Sequence, residues 1–234
     1  MSGPGPAGAA DERTVRVDPH LHTVASYDAR AMPERLLARA SEVGLDAVVV
    51  TDHDTVEGAR IVADLAPDYG LVGIVGCEVS TADGHLLALG VDEAPEPGRP
   101  LPETARTVQA DGGVAVVPHP FQRSRHGASA GAIDDVDGIE VYNAHALTNL
   151  RNRQAERFAS VRAYPAFGGS DAHRTSGIGR AATAVRLAET AVSERAILDG
   201  MRAGRTAAIW RRFSRWQFLT KVVENAKRKT LSLL

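Results

Sequence analysis

Short apolar runs of β type recur along this chain, and several are stopped by a cluster of histidine and acid. Val15–Val17 leads into Asp18-Pro19-His20-Leu21-His22-Thr23, with Asp28 just beyond. Ala47–Val50 leads into Thr51-Asp52-His53-Asp54, and Val72–Val75 precedes Glu78. His85 opens the run Leu86–Leu89, His119-Pro120 follows Val114–Val117, and Ser170-Asp171-Ala172-His173 follows Ala166–Gly168. Six of the eight histidines fall in these clusters. Imidazole and carboxylate are ligands of zinc, manganese and iron. Nine such side chains exceed what one cation needs, so the pattern reads as a multinuclear metal hydrolase.

Further strands are expected at Gly138–Tyr142 and Ala181–Val185. Helical segments alternate with the strands. Pro33 opens one with Leu36, Leu37, Ala40 and Val43 on a single face, ended by Gly44. Thr104–Ala110 is another, entered through Pro102 and closed by Gly112 and Gly113. Strands alternating with helices imply a parallel sheet. Asp52 and His53, His119, and Asp171 and His173 all follow strands, where α/β barrels place their chemistry. A doubly wound open sheet would use one crevice, so an α/β barrel is favoured.

With 234 residues and 44% hydrophobic content, the chain suits a single large domain. Residues 1–13, Gly-, Pro- and Ala-rich, read as a flexible tail without a secretory signal. Residues 14–204 read as the barrel domain and 205–234 as a basic amphipathic segment. The Pro-rich stretch 94–102 reads as a surface connection. No run approaches the ~20 apolar residues of a membrane span. The lone cysteine, Cys77, excludes an internal disulfide and reads as a small buried residue. A cytoplasmic location is the default expectation.

In an extended segment residues i and i+2 share a face, so His20 and His22 can share one cation, with Asp18 beside them as a supporting group. Asp171 and His173 have the same spacing. Glu78 is the best candidate for a carboxylate bridging two cations about 3.5–4 Å apart. Bound water would then ionise near neutral pH, and no Ser, Cys or Lys nucleophile is needed.

The order and flanks of these clusters resemble the PHP family, named for its polymerase and histidinol phosphatase members. The matching stretches are DPHLHTVASYD at 18–28, TDHDT at 51–55, GCEVS at 76–80, GHLLALG at 84–90, PHP at 118–120, EVYN at 140–143 and GGSDAH at 168–173. The resemblance implies a distorted seven-stranded β/α (TIM-like) barrel, a trinuclear metal site and phosphoesterase activity. It implies His20, His22, Glu78 and Asp171 at one cation, Glu78, His85 and His119 at a second, and Asp28, His53 and His173 at a third. Zinc, manganese and iron suit these ligands about equally. Pro19 stands where the family commonly has Leu; it removes a backbone donor but touches no ligand.

Around this set, Glu78 and Asp171 are the acids expected to carry the reaction. Asp52 reads as orienting an imidazole and Asp54 as capping the next turn. His145 suits a proton donor or a substrate contact, with a structural role as an equal reading. His126 reads as solvent-exposed. Asn143, Arg123 and Arg174 are candidates for substrate binding, since guanidinium suits phosphate. Surface arginine is nevertheless common in a chain with no lysine before Lys221.

From Arg202 onward nine Lys or Arg face the single Glu224, a net +8, leaving −10 for residues 1–201 against a total of −2. Phe213, Trp216, Leu219 and Val223 follow helical spacing. Such a segment suits packing on the barrel, nucleic acid or an anionic membrane surface. The leading expectation is hydrolysis of a phosphate ester of a small metabolite or nucleotide by a metal-bound hydroxide. A 3′-5′ exonuclease on single-stranded nucleic acid is the first alternative. A non-enzymatic metal-binding regulatory domain is the second, disfavoured because the whole ligand set is present.

Overall fold

The computed structural model describes residues 13–210. The expected N-terminal tail up to residue 12 and the helical spacing from Phe213 to Val223 lie outside them. Nine strands form one sheet: β1 (Thr14–Leu21), β2 (Ala47–Val50), β3 (Val72–Thr81), β4 (Gly84–Leu89), β5 (Val114–Val117), β6 (Gly138–Asn143), β7 (Ala166–Gly169), β8 (Ala181–Arg186) and β9 (Thr206–Trp210). Their order is β7-β6-β5-β4-β3-β2-β1-β8-β9. Among the described residues five α-helices accompany them: α1 (Pro33–Glu42), α2 (Glu57–Leu65), α3 (Leu101–Ala110), α4 (Asn149–Arg162) and α5 (Glu194–Arg202).

The sheet is mixed, not parallel. β1–β2, β2–β3, β5–β6 and β6–β7 pair in parallel. β3–β4, β4–β5, β1–β8 and β8–β9 pair antiparallel. Ala82 and Asp83 alone join β3 to β4, and two residues close a hairpin but cannot make a crossover. The strand count also departs from seven. β8 and β9 extend the sheet beyond β1, and β9 (TAAIW) is short, Ala-rich and only partly buried, without the apolar run that announces a strand.

The two ends of the sheet curl toward each other into a nearly closed barrel. At the tip of β1 the Asp171 N–H donates to the His20 carbonyl at 2.9 Å, and the His22 N–H to the Ala172 carbonyl at 3.2 Å. Lower down, the Gly168 N–H donates to Thr183 Oγ1 at 3.0 Å. β2 and β5 are buried along their whole length, as strands covered on both faces must be. In α1 the buried residues are Pro33, Leu36, Leu37 and Ala40, and Gly44 (φ 73°) turns the chain out of the helix. No helix among the described residues is long and apolar enough to cross a membrane.

Strand direction decides where the polar clusters meet. Because β4 runs against β3, its first residues, with His85, lie at the same end of the barrel as the last residues of β1, β2, β5, β6 and β7. β9 ends at this face too: Trp210 pairs with Ala181, the first residue of β8, and stacks on Tyr142 with centroids 4.6 Å apart and planes 8° apart.

Gly58, in the first turn of α2, shows how closely the helix layer approaches this end. A Cβ there would overlap Asp52 Oδ2 and Thr23 Oγ1. Alanine is the better helix former by about 0.8–1 kcal/mol, yet Gly58→Ala should lower the melting temperature by about 4–8 °C, the shift expected for a net loss of about 2 kcal/mol in a domain of this size. Thermal unfolding followed by circular dichroism checks this; an unchanged or higher midpoint contradicts the packing argument.

Candidate metal centre

The alternation along β1 sends Asp18 and His20 to one face, with His22 continuing it, and all three are buried. β3 delivers Glu78, 1% exposed, into the middle of the cluster. Its Oε2 lies 3.2 Å from His20 Nε2, 3.2 Å from His22 Nε2 and 3.5 Å from His53 Nδ1. Its Oε1 lies 2.7 Å from His85 Nδ1 and 3.0 Å from His119 Nε2. Asp171 Oδ1 stands 3.7 Å from His20 Nε2, 3.6 Å from His22 Nε2 and 3.3 Å from His173 Nδ1. Asp28 Oδ2 lies 3.0 Å from His173 Nε2 and 3.7 Å from His53 Nε2. All nine expected ligands thus converge. His145 joins them, its Nδ1 3.6 Å from Asp171 Oδ1. His119 (φ 30°) and Asp171 (φ 51°) have left-handed backbones, a strain typical of functional positions and costing roughly 1–3 kcal/mol each.

The donor set fits divalent cations. Ligand atoms at 2.0–2.1 Å from a tetrahedral ion are roughly 3.3 Å apart, close to most of these separations. His22 Nε2 and Asp171 Oδ1 are buried without a hydrogen-bond partner, an arrangement a cation between them would satisfy. Groups able to hold an ion include His20, His22 and Glu78; His53, Glu78 and His85; His22, His53 and His173; and His145, Asp171 and His173.

Two relays aim the imidazoles. Asp52 accepts from the Thr23 N–H (2.7 Å), the Thr23 hydroxyl (2.6 Å) and the Ser26 hydroxyl (2.8 Å). With its one proton given to Asp52, Ser26 Oγ can only accept from His22 Nδ1, 3.2 Å away, and from the His53 N–H at 3.1 Å. The neutral His22 therefore carries its proton on Nδ1 and turns the Nε2 lone pair inward. Glu140 does the same for His20: its Oε1 lies 3.0 Å from His20 Nδ1, while Oε2 accepts from the His119 N–H at 2.8 Å and from Asn143 Nδ2 at 2.9 Å. Sequence reasoning passed over Glu140, although an acid between Ile139 and Val141 in a strand was a visible anomaly.

Other expected residues take different places. Asp18 orients no imidazole; it accepts from the Ser170 and Gly179 N–H groups, and burial raises its pKa to about 6. Asp54 does not cap α2, which starts at Glu57 without a side-chain cap; it accepts from the Ser80 N–H at 2.7 Å. Asn143 is buried and committed to Glu140, Asp171 and the His145 N–H. Arg125, not Arg123, reaches the centre: it pairs with Asp171 Oδ2 and donates to Asn143 Oδ1 at 3.2 Å. Arg123 is exposed and lines a neighbouring groove, whereas the exposed Arg30 and Arg174 line the cavity over Glu78, of about 400 Å³. His126 is exposed, as expected. Burial pushes the Cys77 thiol up to about 12, so it is no nucleophile.

Burial opposes charge throughout, and at His20, His22, Glu78 and Asp171 the mutual attractions win. Despite burial, His20 and its neighbours hold Glu78 well below the usual carboxylate range, and Arg125 and His20 do the same for Asp171. Burial alone would lower His22; Asp171 and Glu78 outweigh it and bring the pKa to about 9. Burial lowers His119 and His145.

A model of the PHP domain matches residues 18–160, and one of the PHP-associated C-terminal region matches 149–206. The chain belongs to the PHP family. It is similar to an uncharacterised protein of Methanocaldococcus jannaschii, 28% identical over 152 residues, covering 60% of this chain and 89% of that one. It also resembles a phosphoribosyl 1,2-cyclic phosphate 1,2-diphosphodiesterase of Eggerthella lenta, 33% identical over 82 residues, 32% of this chain but only 31% of that enzyme. Among solved structures, a Bacteroides vulgatus two-domain protein containing a predicted PHP-like metal-dependent phosphoesterase superposes with a TM-score of 0.68. It is 23% identical, and the match covers 93% of this chain and 71% of that one. The histidine–carboxylate groupings lie within the stretches that these two family models match.

Cation binding at these atoms must displace protons, because His22 is protonated below about pH 9 in the metal-free protein. Manganese or zinc addition at pH 7 should therefore release protons, and affinity should rise with pH until His22 has titrated. Calorimetry in buffers of different ionisation enthalpy reads this; pH-independent binding without proton release contradicts it. Glu140→Ala should weaken cation affinity about 10–100-fold, measured by competition with a chromogenic chelator, and unchanged affinity would remove Glu140 from its positioning role.

Proposed function

We propose that the protein hydrolyses a phosphate ester of a small metabolite or nucleotide at a centre of three divalent cations, of zinc, manganese or iron. The observation that carries this reading is Glu78, whose two oxygens are shared between the imidazoles of His20, His22 and His53 on one side and His85 and His119 on the other. Asp171 and His173, with Asp28, complete the ligand set.

Cations held there would supply Lewis acidity toward phosphoryl oxygens and acidify a water molecule. The chain's own groups do the rest. Arg125, held by Asp171 and Asn143, presents a fixed guanidinium at the cavity, and Arg30 and Arg174 add positive charge at its rim, as the oxygens of a phosphate ester require. His145, whose pKa burial lowers, stands with Nδ1 3.6 Å from Asp171 Oδ1, where it can accept the proton that the attacking water gives up and pass it to the leaving oxygen. Asn143 and Glu140 position Asp171, His20 and the His119 backbone.

The test is hydrolysis of a panel of phosphomonoesters, 3′,5′-bisphosphonucleotides, histidinol phosphate and short oligonucleotides with Mn²⁺ or Zn²⁺, beside a His20→Ala, His22→Ala double variant. Inorganic phosphate should be released from a small ester, and the double variant should lose at least about a thousandfold in rate, since removing ligands dismantles a centre that supplies several kcal/mol. Release of mononucleotides from oligonucleotides alone would move the activity to an exonuclease. A metal-loaded protein inert on every ester would overturn the proposal.

A further inference from the structure

We propose that the groove beside the metal centre is a subsite for a nucleobase, with the exposed ring of Tyr27 as its stacking face. This rests on the phosphoester reading, because it names the group that the ester carries.

Two cavities lie at this end of the barrel and share Tyr27, His85 and His126 as walls. The first, of about 400 Å³, lies over Glu78. The second, of about 380 Å³, runs along the β3–β4 hairpin at residues 80–84 and past Arg123. Each exceeds the roughly 300 Å³ at which ordinary ligand pockets begin. Because the two cavities adjoin through these shared walls, the organic group of an ester whose phosphate lies over Glu78 has room in the second.

Rings line the passage. Tyr27 stacks on His53 with centroids 5.1 Å apart and planes 23° apart. His53 lies 5.2 Å from His85, and His85 lies 5.1 Å from His126. The inner two rings contact Glu78. Tyr27 differs from every packed aromatic: it is 83% exposed, with His53 against one face. A tyrosine left in water forfeits the benefit of burial, about 25 cal/mol per Å², so packing does not account for its place. At a cavity wall it offers a flat apolar face and few rotors to freeze, the features that make aromatic side chains stacking platforms for bases.

The groove is also built rigidly. The His85 N–H donates to the His126 carbonyl at 2.8 Å. A Cβ at Gly84 would come within 2.7 Å of the Ala128 nitrogen and the His126 carbonyl, and one at Gly127 would overlap the His119 carbonyl. The hairpin and the loop carrying Arg123 and His126 therefore form one wall, its backbones closer than side chains would allow. Arg123 lines this groove together with Asp83, whose Oδ2 accepts from the Leu101 N–H at 3.0 Å, and its guanidinium suits the face of an electron-rich ring.

The experiment uses the full chain loaded with Mn²⁺ and the variants Tyr27→Ala and Tyr27→Phe. The ratio of kcat/KM for adenosine monophosphate over ribose 5-phosphate should fall about tenfold in Tyr27→Ala, equivalent to about 1.4 kcal/mol, and be retained in Tyr27→Phe. In parallel, NMR saturation transfer to the adenine protons of adenosine, which has no phosphate to lose, should be seen with the wild type and Tyr27→Phe and be lost in Tyr27→Ala. Adenosine saturation that depends on Tyr27, without hydrolysis of any ester, would support the subsite and sink the phosphoester reaction. Hydrolysis of both esters with an unchanged ratio, or equal saturation in all three proteins, would overturn the subsite and leave the reaction standing.

Discussion

A carboxylate taken out of water must find positive charge or give up its own. Glu78 is almost wholly buried and has five imidazoles within 3.5 Å of its oxygens. Those imidazoles come from different stretches of the chain, brought together only when β1 to β5 are in register. The converse also holds: His20 and His22, side by side and fully buried, would repel each other when protonated were Glu78 and Asp171 absent. Neither half of the cluster is stable alone, so the end of the barrel is tied together by charge while the rest is held by apolar packing.

The residues that form the cluster were legible because metal ligation needs particular side chains at particular periods. Histidines two apart in an extended run share a face whatever the surroundings. Strand direction was not legible, since the apolar runs Val72–Val75 and Leu86–Leu89 stand ten residues apart in the sequence, and only the structure carries β3 on to Thr81 and leaves two residues for the turn. Glu140 and Arg125 were harder. Glu140 acts only through His20, the His119 backbone and Asn143, partners assembled from three other segments. Arg125 competes in sequence with Arg123, two residues away, and only the turn between them decides which guanidinium faces Asp171. β9 carries no strong signal because its stability derives from pairing with β8, not from its own side chains.

Close approach recurs as the device that makes the site precise. Gly58 lets α2 rest against Asp52 and Thr23, and Gly169 has no room for a Cβ beside Glu140 and His20. Each glycine sits behind one of the two relays that fix an imidazole tautomer. Side-chain bulk is missing where the backing of the ligands is densest, and the left-handed backbones of His119 and Asp171 belong to the same compressed region.

The position of β9 has a consequence for whatever the chain is joined to. Thr14 begins β1 at the end of the barrel away from the histidines, and Trp210 ends β9 at the histidine end. The fold is thus a directional mount. A group joined directly at Thr14 would start from behind the barrel. Anything continuing from Trp210 is attached at the mouth, where a short tether sets a high effective concentration.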